Sequence, residues 1–431
     1  MRRRGRWFLL GAIGVVACLV VAHNILDSIT ERRRDESVAR LQEKLAALIP
    51  ELQPGGDENH PLGMRAQAEQ AASTSGDRAA YPRGVAVSWE HLFSLLDERL
   101  CLKPNQGIDE VFLMANQDLI HEIWELAELG VPPVAGEALE DPVEEMCSFP
   151  DEQDLKYCMR LLREDAFMKA AQQDYPDTVR DIIAWMKLGD TLDYPLTYSL
   201  QLQVIMEEVL PDAFEDGNTP PDITHALLTQ LAASRNREMF KKVFVTQTMD
   251  IGEEMSSIFH PPLESDPGNW VLAALFRPWC NMNEQTYAEK ADQLADLVDL
   301  PYYQAEPKLT EIRADLDSVP RSRFVSAAFL SYVCNLFESE ADHEARLDLA
   351  RMAVVLEQHR ARHGQYPDAL DAVAPDLGGA LPVDPFTGEP YHYEPSGDSF
   401  QLYSVGSNRV DDGGRQATRD GDIAWRGRDE E

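Results

Sequence analysis

The chain has 431 residues, of which 39 are Lys or Arg and 75 are Asp or Glu, so its formal net charge is -36. This acidity excludes non-specific nucleic-acid binding, which needs basic side chains to neutralise phosphates, and it argues against adhesion of the folded body to anionic lipid. The hydrophobic fraction of 44% is ordinary for a folded protein, and the length allows two or three compact units.

The first long apolar segment covers residues 7–26, WFLLGAIGVVACLVVAHNIL. A helix of about 20 residues spans about 30 Å, the thickness of a bilayer core. Four Arg side chains lie within residues 1–6 and favour a cytoplasmic tail there. The pattern predicts a single-pass transmembrane helix in the inner membrane, with the bulk of the chain extracytoplasmic, or periplasmic.

Two alternatives stay open for this segment. A cleavable signal peptide needs a shorter apolar core and a small-residue cleavage site, for which Ala22 is a poor candidate. Residues Val15–Cys18 resemble a bacterial lipobox, which would make the protein a lipoprotein with lipid on Cys18. However, the apolar run continues past Cys18, whereas a mature lipoprotein turns polar there. The other cysteines form no CxxC pair and are compatible with one disulfide, involving Cys101 and either Cys147 or Cys158, or with buried thiols.

The next region, residues 27–84, is predicted to hold a juxtamembrane helix and a flexible linker. Leu41, Leu45 and Leu48 follow helical spacing, whereas residues 53–84 contain few large apolar side chains.

Residues 85–343 show helical apolar periodicity and predict an α-helical domain. The stripes are Leu155, Cys158, Leu162, Ala166; Val179, Ile182, Ile183, Met186; Leu202, Ile205, Met206, Val209; and Ile223, Ala226, Leu227, Leu231. Pro and Asp/Gly clusters interrupt these stripes, so we expect successive helical hairpins, in a solenoid-like arrangement.

Composition changes near residue 344, since residues 85–343 contain seven Gly and the much shorter stretch 344–431 contains ten. A helix with Leu349, Met352, Ala353 and Leu356 on one face is expected to end at Gly364. Apolar and polar residues alternate in the segments EPYHYEP and SFQLYSVG, which lie on either side of Ser396–Asp398. This pattern predicts two antiparallel strands. The predicted fold is therefore mainly α, with a small α+β domain at 344–425 and a tail at 426–431.

This C-terminal region resembles the C-terminal domain of the type II secretion major pseudopilin (G-type). The shared blocks are Gly364, Tyr366, Pro367; Leu381, Pro382, Asp384, Pro385; Gly388, Pro390, Tyr391, Tyr393; and Leu402, Tyr403, Ser404, Gly406. The match covers about a fifth of the chain. The whole arrangement also resembles planctomycete-type membrane proteins in which a helical middle region precedes this ending.

The resemblance implies a Ca²⁺ site in the acidic loop, and the local chemistry agrees with it. The candidate ligands are Asn408, Asp411, Asp412, Asp420 and Asp422. These hard oxygen donors suit Ca²⁺, and neighbouring glycines let the chain curl around an ion. The alternative is a solvated acidic turn that Arg409, Arg415 and Arg419 neutralise.

The chain also departs from the pseudopilin pattern. A pseudopilin has Gly followed by Phe at its prepilin-peptidase site and a Glu at the fifth position after the cut. Here Gly5 precedes Arg6, and Leu10 stands in the place of the Glu. More than 300 residues separate the N-terminal apolar segment from the C-terminal domain, so assembly into an ordinary pseudopilus is doubtful.

No linear catalytic motif is present. His359 and His363 have the spacing of a zinc pair but are flanked by Arg, so we expect an exposed basic helix end. The segment Leu275–Glu284 (LFRPWCNMNE) could contact a ligand through Arg277, Trp279 and Asn281, but a buried aromatic corner around Cys280 is favoured.

The sequence therefore predicts a non-enzymatic, membrane-anchored scaffold or binding protein with a calcium-stabilised module. We expect protein partners and no nucleic-acid partner, and the resemblance implies a link to type II secretion or pilus-like machinery. The alternatives are a helical-repeat binding protein of the envelope without a secretion role, and an enzyme without a linear motif.

Overall fold

The structure is a computed structural model that describes residues 2–49, 92, 108, 110–130, 152–190, 204–205, 209–214, 219–235, 237–259, 267–415 and 421–425. These residues are mainly helical, as the sequence predicts. The helices are α1 (Arg2–Leu48), α2 (Glu110–Ala115), α3 (Gln117–Leu129), α4 (Glu152–Ala171), α5 (Tyr175–Gly189), α6 (Leu210–Phe214), α7 (Pro221–Ser234), α8 (Arg237–Phe259), α9 (Pro267–Ala295), α10 (Tyr302–Ser318) and α11 (Phe324–His363), with 3-10 helices at Arg321–Arg323 and Leu370–Leu377.

The N-terminal helix differs from the prediction. Helix α1 runs without a break from Arg2 to Leu48, so residues 7–26 belong to the same helix as the charged residues that follow. Among the residues that the structure describes, no helix is long and apolar enough to cross a membrane. The predicted transmembrane helix at 7–26 is therefore wrong. Residues 7–26 carry no charged side chain apart from His23, but they do not form a separate element, because the helix continues past Leu26 and packs through polar side chains. The periplasmic location is untested and stays a prediction.

One compact unit, called unit 1 below, comprises residues 1–68, 241–300 and 304–337. In it, α1 lies parallel to α9. Arg34 Nη1 donates to Asn281 Oδ1 at 3.0 Å, and farther along both helices Lys44 Nζ donates to Asp292 O at 2.6 Å. Leu41 and Leu45 of the predicted helical stripe are buried. Helix α1 therefore has polar contacts with α9 and also buries apolar side chains.

The remaining described residues form unit 2, which covers residues 69–240, 301–303 and 338–431. Helices α4 and α5 are consecutive and in contact, as expected for a helical hairpin. Two predicted stripes are confirmed, because every member is buried: Leu155, Cys158, Leu162, Ala166, Val179, Ile182, Ile183 and Met186. In α7, Ile223, Leu227 and Leu231 are buried but Ala226 is exposed. Leu202 and Met206 lie outside the described residues.

Three cysteines of the described residues have free thiols. Cys158, Cys280 and Cys334 are free and buried. A disulfide that uses Cys158 is therefore wrong, since this side chain packs inside the α4 stripe. Cys101 and Cys147 lie outside the described residues.

The C-terminal part of unit 2 carries the sheet. Helix α11 begins at Phe324, 20 residues before the expected boundary, and ends at His363, where Gly364 has φ +79. The strands are β1 (His392–Ser396), β2 (Ser399–Ser404) and β3 (Ile423–Trp425), antiparallel in the order β1-β2-β3. The first two strands confirm the predicted hairpin, and β3 is an addition.

Candidate metal centre

The acidic loop leaves strand β2 at a point held by a buried carboxylate. Asp384 is 1% exposed, and its Oδ1 and Oδ2 accept the N–H groups of Phe386 (2.8 Å) and Val405 (3.2 Å). Burial raises the pKa of Asp384, and these backbone N–H groups partly oppose that shift. Asp384 thereby joins residues 381–385, called the Leu-Pro-x-Asp-Pro turn below, to Val405 at the start of the acidic loop.

The loop then curls through backbone conformations that side chains rarely adopt. Gly406, Arg409, Gly413 and Gly414 all have positive φ, between +56 and +74. Asn408 Oδ1 accepts the N–H of Val410 at 2.8 Å. Asn408 Nδ2 donates to Asp412 Oδ2 at 3.2 Å. Two of the five predicted ligands are therefore in direct contact.

Asp411 lies on the same loop, beside strands β1 and β2. Its Oδ1 accepts the Gly413 N–H and the Tyr403 hydroxyl, both at 2.9 Å. His392 Nδ1 is 3.9 Å from Asp411 Oδ2. The Gly413 N–H, followed by the Tyr403 hydroxyl, lowers the pKa of Asp411, so this exposed side chain is held as a carboxylate.

Asp422 closes the loop from the start of β3. Its Oδ2 accepts the N–H groups of Asp412 (3.0 Å) and Gly414 (2.7 Å). The side chain is only 2% exposed, and Oδ1 has no hydrogen-bond partner among the described residues. Burial raises the pKa of Asp422, the two N–H groups oppose the shift, and the charges of Asp412 and Asp411 raise it further. These three carboxylates therefore lie close enough to repel one another.

The side-chain oxygen atoms of this loop are suitable ligands for a cation, but the described ones do not surround a single position. Asn408, Asp411 and Asp412 are on the described part of one loop, Asp422 directly precedes β3, and all four offer the oxygen atoms that Ca²⁺ prefers. Within the described residues, no three acidic, His or Cys side chains converge as they would around a metal ion. Asp420 lies outside the described residues. The feature that points to a cation is the buried Asp422 Oδ1.

Sequence reasoning missed a buried ionic network below β1. Arg235 Nε donates to Glu344 Oε1 at 2.9 Å, and Arg235 Nη1 lies 3.3 Å from Asp348 Oδ1. The hydroxyl of Tyr391 donates to Asp348 Oδ2 at 3.3 Å. Desolvation outweighs the arginine charge and raises the pKa of Asp348 to about 7. The available signal was the four-residue spacing of Glu340, Glu344 and Asp348, which places three acidic side chains on one face of the helix.

A second buried network joins α3, α4 and α5. Lys169 Nζ lies 2.5 Å from Asp165 Oδ2 and 3.3 Å from Asp181 Oδ2, and both carboxylates are 0% exposed. Trp124 Nε1 donates to Asp181 Oδ1 at 2.7 Å, and Gln117 Nε2 donates to Asp165 Oδ1 at 2.6 Å. Burial raises the pKa of Asp181 well above its usual range, against the charge of Lys169. The network is sealed from solvent by its own helices.

The pair His359 and His363 and the segment Leu275–Glu284 are the other two candidate sites from the sequence. The rings of His359 and His363 stack at 4.1 Å at the exposed end of α11, and no third ligand joins them among the described residues. In the segment Leu275–Glu284, Cys280 is buried as expected. Asn281, which the sequence offers as a possible ligand contact, is also buried, whereas Leu275 and Phe276 are exposed.

Comparison with known proteins gives no relative: no family model, curated protein or solved structure matches this chain.

Proposed function

We propose that this chain is a non-enzymatic scaffold or binding protein whose C-terminal module is stabilised by Ca²⁺. The observation that carries the proposal is the environment of Asp422. A buried carboxylate oxygen without a hydrogen-bond partner costs free energy, and the neighbouring charges of Asp411 and Asp412 increase that cost. A divalent cation would offset both effects, because it ligates the free oxygen and neutralises the repulsion.

The helical part supports a scaffold because its charged clusters are inaccessible. Lys169, Asp165 and Asp181 form a charged cluster, but they are at most 5% exposed. Asp348, whose pKa of about 7 would suit a general acid or base, is 0% exposed. Their contacts join helices to one another, so their role is to fix the packing.

The link to type II secretion or pilus-like machinery remains a proposal from the resemblance of residues 344–425. Crosslinking from the native cell, followed by identification of the crosslinked proteins, tests it. Recovery of secretion or pilus components supports the link, whereas recovery of unrelated proteins favours a binding protein without a secretion role.

The calcium proposal is tested by thermal unfolding of the full chain with and without Ca²⁺, after treatment with a chelator. Ligand binding stabilises a fold by RT ln(1 + [L]/Kd), which is about 2.7 kcal/mol at an ion concentration of 100 times Kd. We expect Ca²⁺ to raise the Tm of the wild type, and the Asp411→Ala and Asp412→Ala variants to lose most of the rise. Asp398→Ala, in the exposed hairpin turn, is the matched control and should keep it. An unchanged wild-type Tm, with equally unresponsive variants, would contradict the calcium site.

A further inference from the structure

One end of unit 1 exposes large apolar side chains from three helices. Phe324, Leu275, Ile258 and Phe276 are 63%, 60%, 58% and 57% exposed. Phe324, Leu275 and Phe276 lie near Trp279, and Ile258 directly precedes Phe259, whose ring contacts that of Trp279. The ring centroid of Trp279 is 6.5 Å from that of Phe324 and 5.4 Å from that of Phe259. Leu275 and Phe276 lie one helical turn before Trp279 in α9. These four side chains are called the apolar end of unit 1 below.

Helix α1 passes beside the part of α9 that carries Leu275 and Phe276. Arg277 Nη1 lies 3.7 Å from Asp27 Oδ2, so the turn of α1 around Asp27 is beside the turn of α9 that follows Phe276. Leu26 and Ile29 on this part of α1 are 48% and 46% exposed. The apolar exposure therefore extends from α9 to α1.

The charge of this region is opposite to that of the chain. About one residue in six is acidic across the sequence, yet segments 267–283 and 318–337, 37 residues together, contain no Asp or Glu. Their charged residues are Arg277, Arg321 and Arg323, of which Arg277 and Arg321 are exposed. Asp27 beside Arg277 and Glu254 on α8 are acidic residues at the edge. The described side chains at the apolar end are thus flanked by exposed arginines, although the chain as a whole is strongly acidic.

This combination identifies the chemistry of the partner. Monomeric proteins seldom expose contiguous large apolar patches without a binding role. A second copy of the chain that used the same patch would bring the exposed arginines of both copies into one interface that has few carboxylates to pair with them, which disfavours self-association. A partner with negative charge distributed over its whole surface suits a patch without carboxylates. An anionic bilayer has this property, and Phe and Leu side chains enter its headgroup boundary while Arg contacts phosphate.

We propose that the apolar end of unit 1 docks on the surface of an anionic bilayer. Phe276 and Phe324 enter the acyl boundary, and Arg277 and Arg321 contact lipid phosphates. The docking is peripheral and uses the folded body. The net charge of -36 argues against adhesion of the acidic surface as a whole, but charges farther than about 8 Å from the bilayer are largely screened at physiological ionic strength, so the local charge of the patch decides docking.

The test is co-sedimentation of the full chain with sucrose-loaded vesicles, either phosphatidylglycerol with phosphatidylcholine or phosphatidylcholine alone. We expect binding to the anionic vesicles that decreases with salt, and at least about tenfold weaker binding of the Phe276→Ser/Phe324→Ser variant, because apolar insertion sets binding strength. The matched control is Val111→Ser/Met114→Ser, which changes two exposed apolar side chains of unit 2 and should bind like the wild type.

The charge contribution is tested separately. Arg277→Glu/Arg321→Glu should weaken binding to anionic vesicles, whereas Arg362→Glu, on the exposed end of α11, should not. Circular dichroism confirms that each variant is folded.

Three results would overturn the proposal: no binding of the wild type, equal binding of the wild type and Phe276→Ser/Phe324→Ser, or equal binding to both kinds of vesicle. A lipid-free dimer that Phe276→Ser/Phe324→Ser dissociates, measured by light scattering, would assign the patch to a second copy instead. Specific crosslinking of the patch to an acidic protein, without vesicle binding, would assign it to a protein partner.

Discussion

Substitution of Gly388 by Ala tests how the Leu-Pro-x-Asp-Pro turn is packed. Gly388 has φ +74, and a Cβ there would lie 2.8 Å from Tyr303 Cε2 and 2.9 Å from Tyr303 Cδ2. The backbone N–H of Tyr303 also donates to Pro385 O at 3.0 Å, so the ring cannot move away freely. Gly397 in the β1–β2 turn is the matched control, since it has φ +61 and no atom within 4 Å of its Cβ position.

The expected magnitude has two parts. An L-residue with left-handed backbone costs about 1–2 kcal/mol, and both variants carry this cost. Overpacking of a filled site costs about 1–3 kcal/mol more, and only Gly388→Ala carries this second cost. We therefore expect Gly397→Ala to destabilise the module by about 1–2 kcal/mol and Gly388→Ala by about 2–5 kcal/mol.

Hydrogen exchange of the β2 amides is the suitable assay, because a chain with two compact units need not unfold in one step. Tyr303→Ala should remove most of the difference between the two glycine variants, since it removes the atoms that the new methyl group meets. Equal losses for Gly388→Ala and Gly397→Ala, or no rescue by Tyr303→Ala, would refute the packing of Tyr303 against this turn.

Three further predictions concern buried carboxylates and their partners. Asp384→Asn places an amide group against one of two backbone N–H donors and should cost about 1–3 kcal/mol in urea unfolding, whereas exposed Asp398→Asn should be neutral. Asp348, with a pKa raised to about 7, binds more protons when folded, so its contribution to stability falls as pH rises from about 4 to 7. Asp348→Asn should flatten that part of the profile of Tm against pH, and an unchanged profile would contradict the shift. Lys169→Met leaves two buried carboxylates without a cation and should cost about 3–5 kcal/mol, measured by chemical unfolding.

The elements with strong local signals were predictable from the sequence. The apolar residues of α4 and α5 repeat at helical spacing. In the β1–β2 hairpin, apolar and polar residues alternate on both sides of a Ser-Gly-Asp turn. Local patterns therefore predict both the helices and the hairpin. Strand β3 has only three residues, Ile423–Trp425, and forms by pairing with β2, which no local pattern reports. The predicted boundary after Leu26 was wrong, because the change from uncharged to charged residues does not end the helix. Helix α1 continues without a break into its polar part.

The candidate site shows the same limit. Sequence spacing placed Asn408, Asp411 and Asp412 on one loop, and the structure joins Asn408 to Asp412 directly. The burial of Asp422, and the Tyr403 hydroxyl that holds Asp411, depend on strand pairing and were not predictable. The Arg235–Asp348 contact joins residues more than 100 positions apart in sequence, so spacing alone could not reveal it.

The central claim is that the loop closed by Asp422 binds Ca²⁺, and isothermal titration of Ca²⁺ into the chelator-treated full chain tests it most directly. We expect saturable binding by the wild type and loss of that binding in Asp422→Asn, which removes the charge but keeps the size of the side chain. Without Ca²⁺ the same variant should be at least as stable as the wild type, because it relieves the repulsion from Asp411 and Asp412. Equal titrations of both proteins, or no saturable heat with the wild type, would contradict the account.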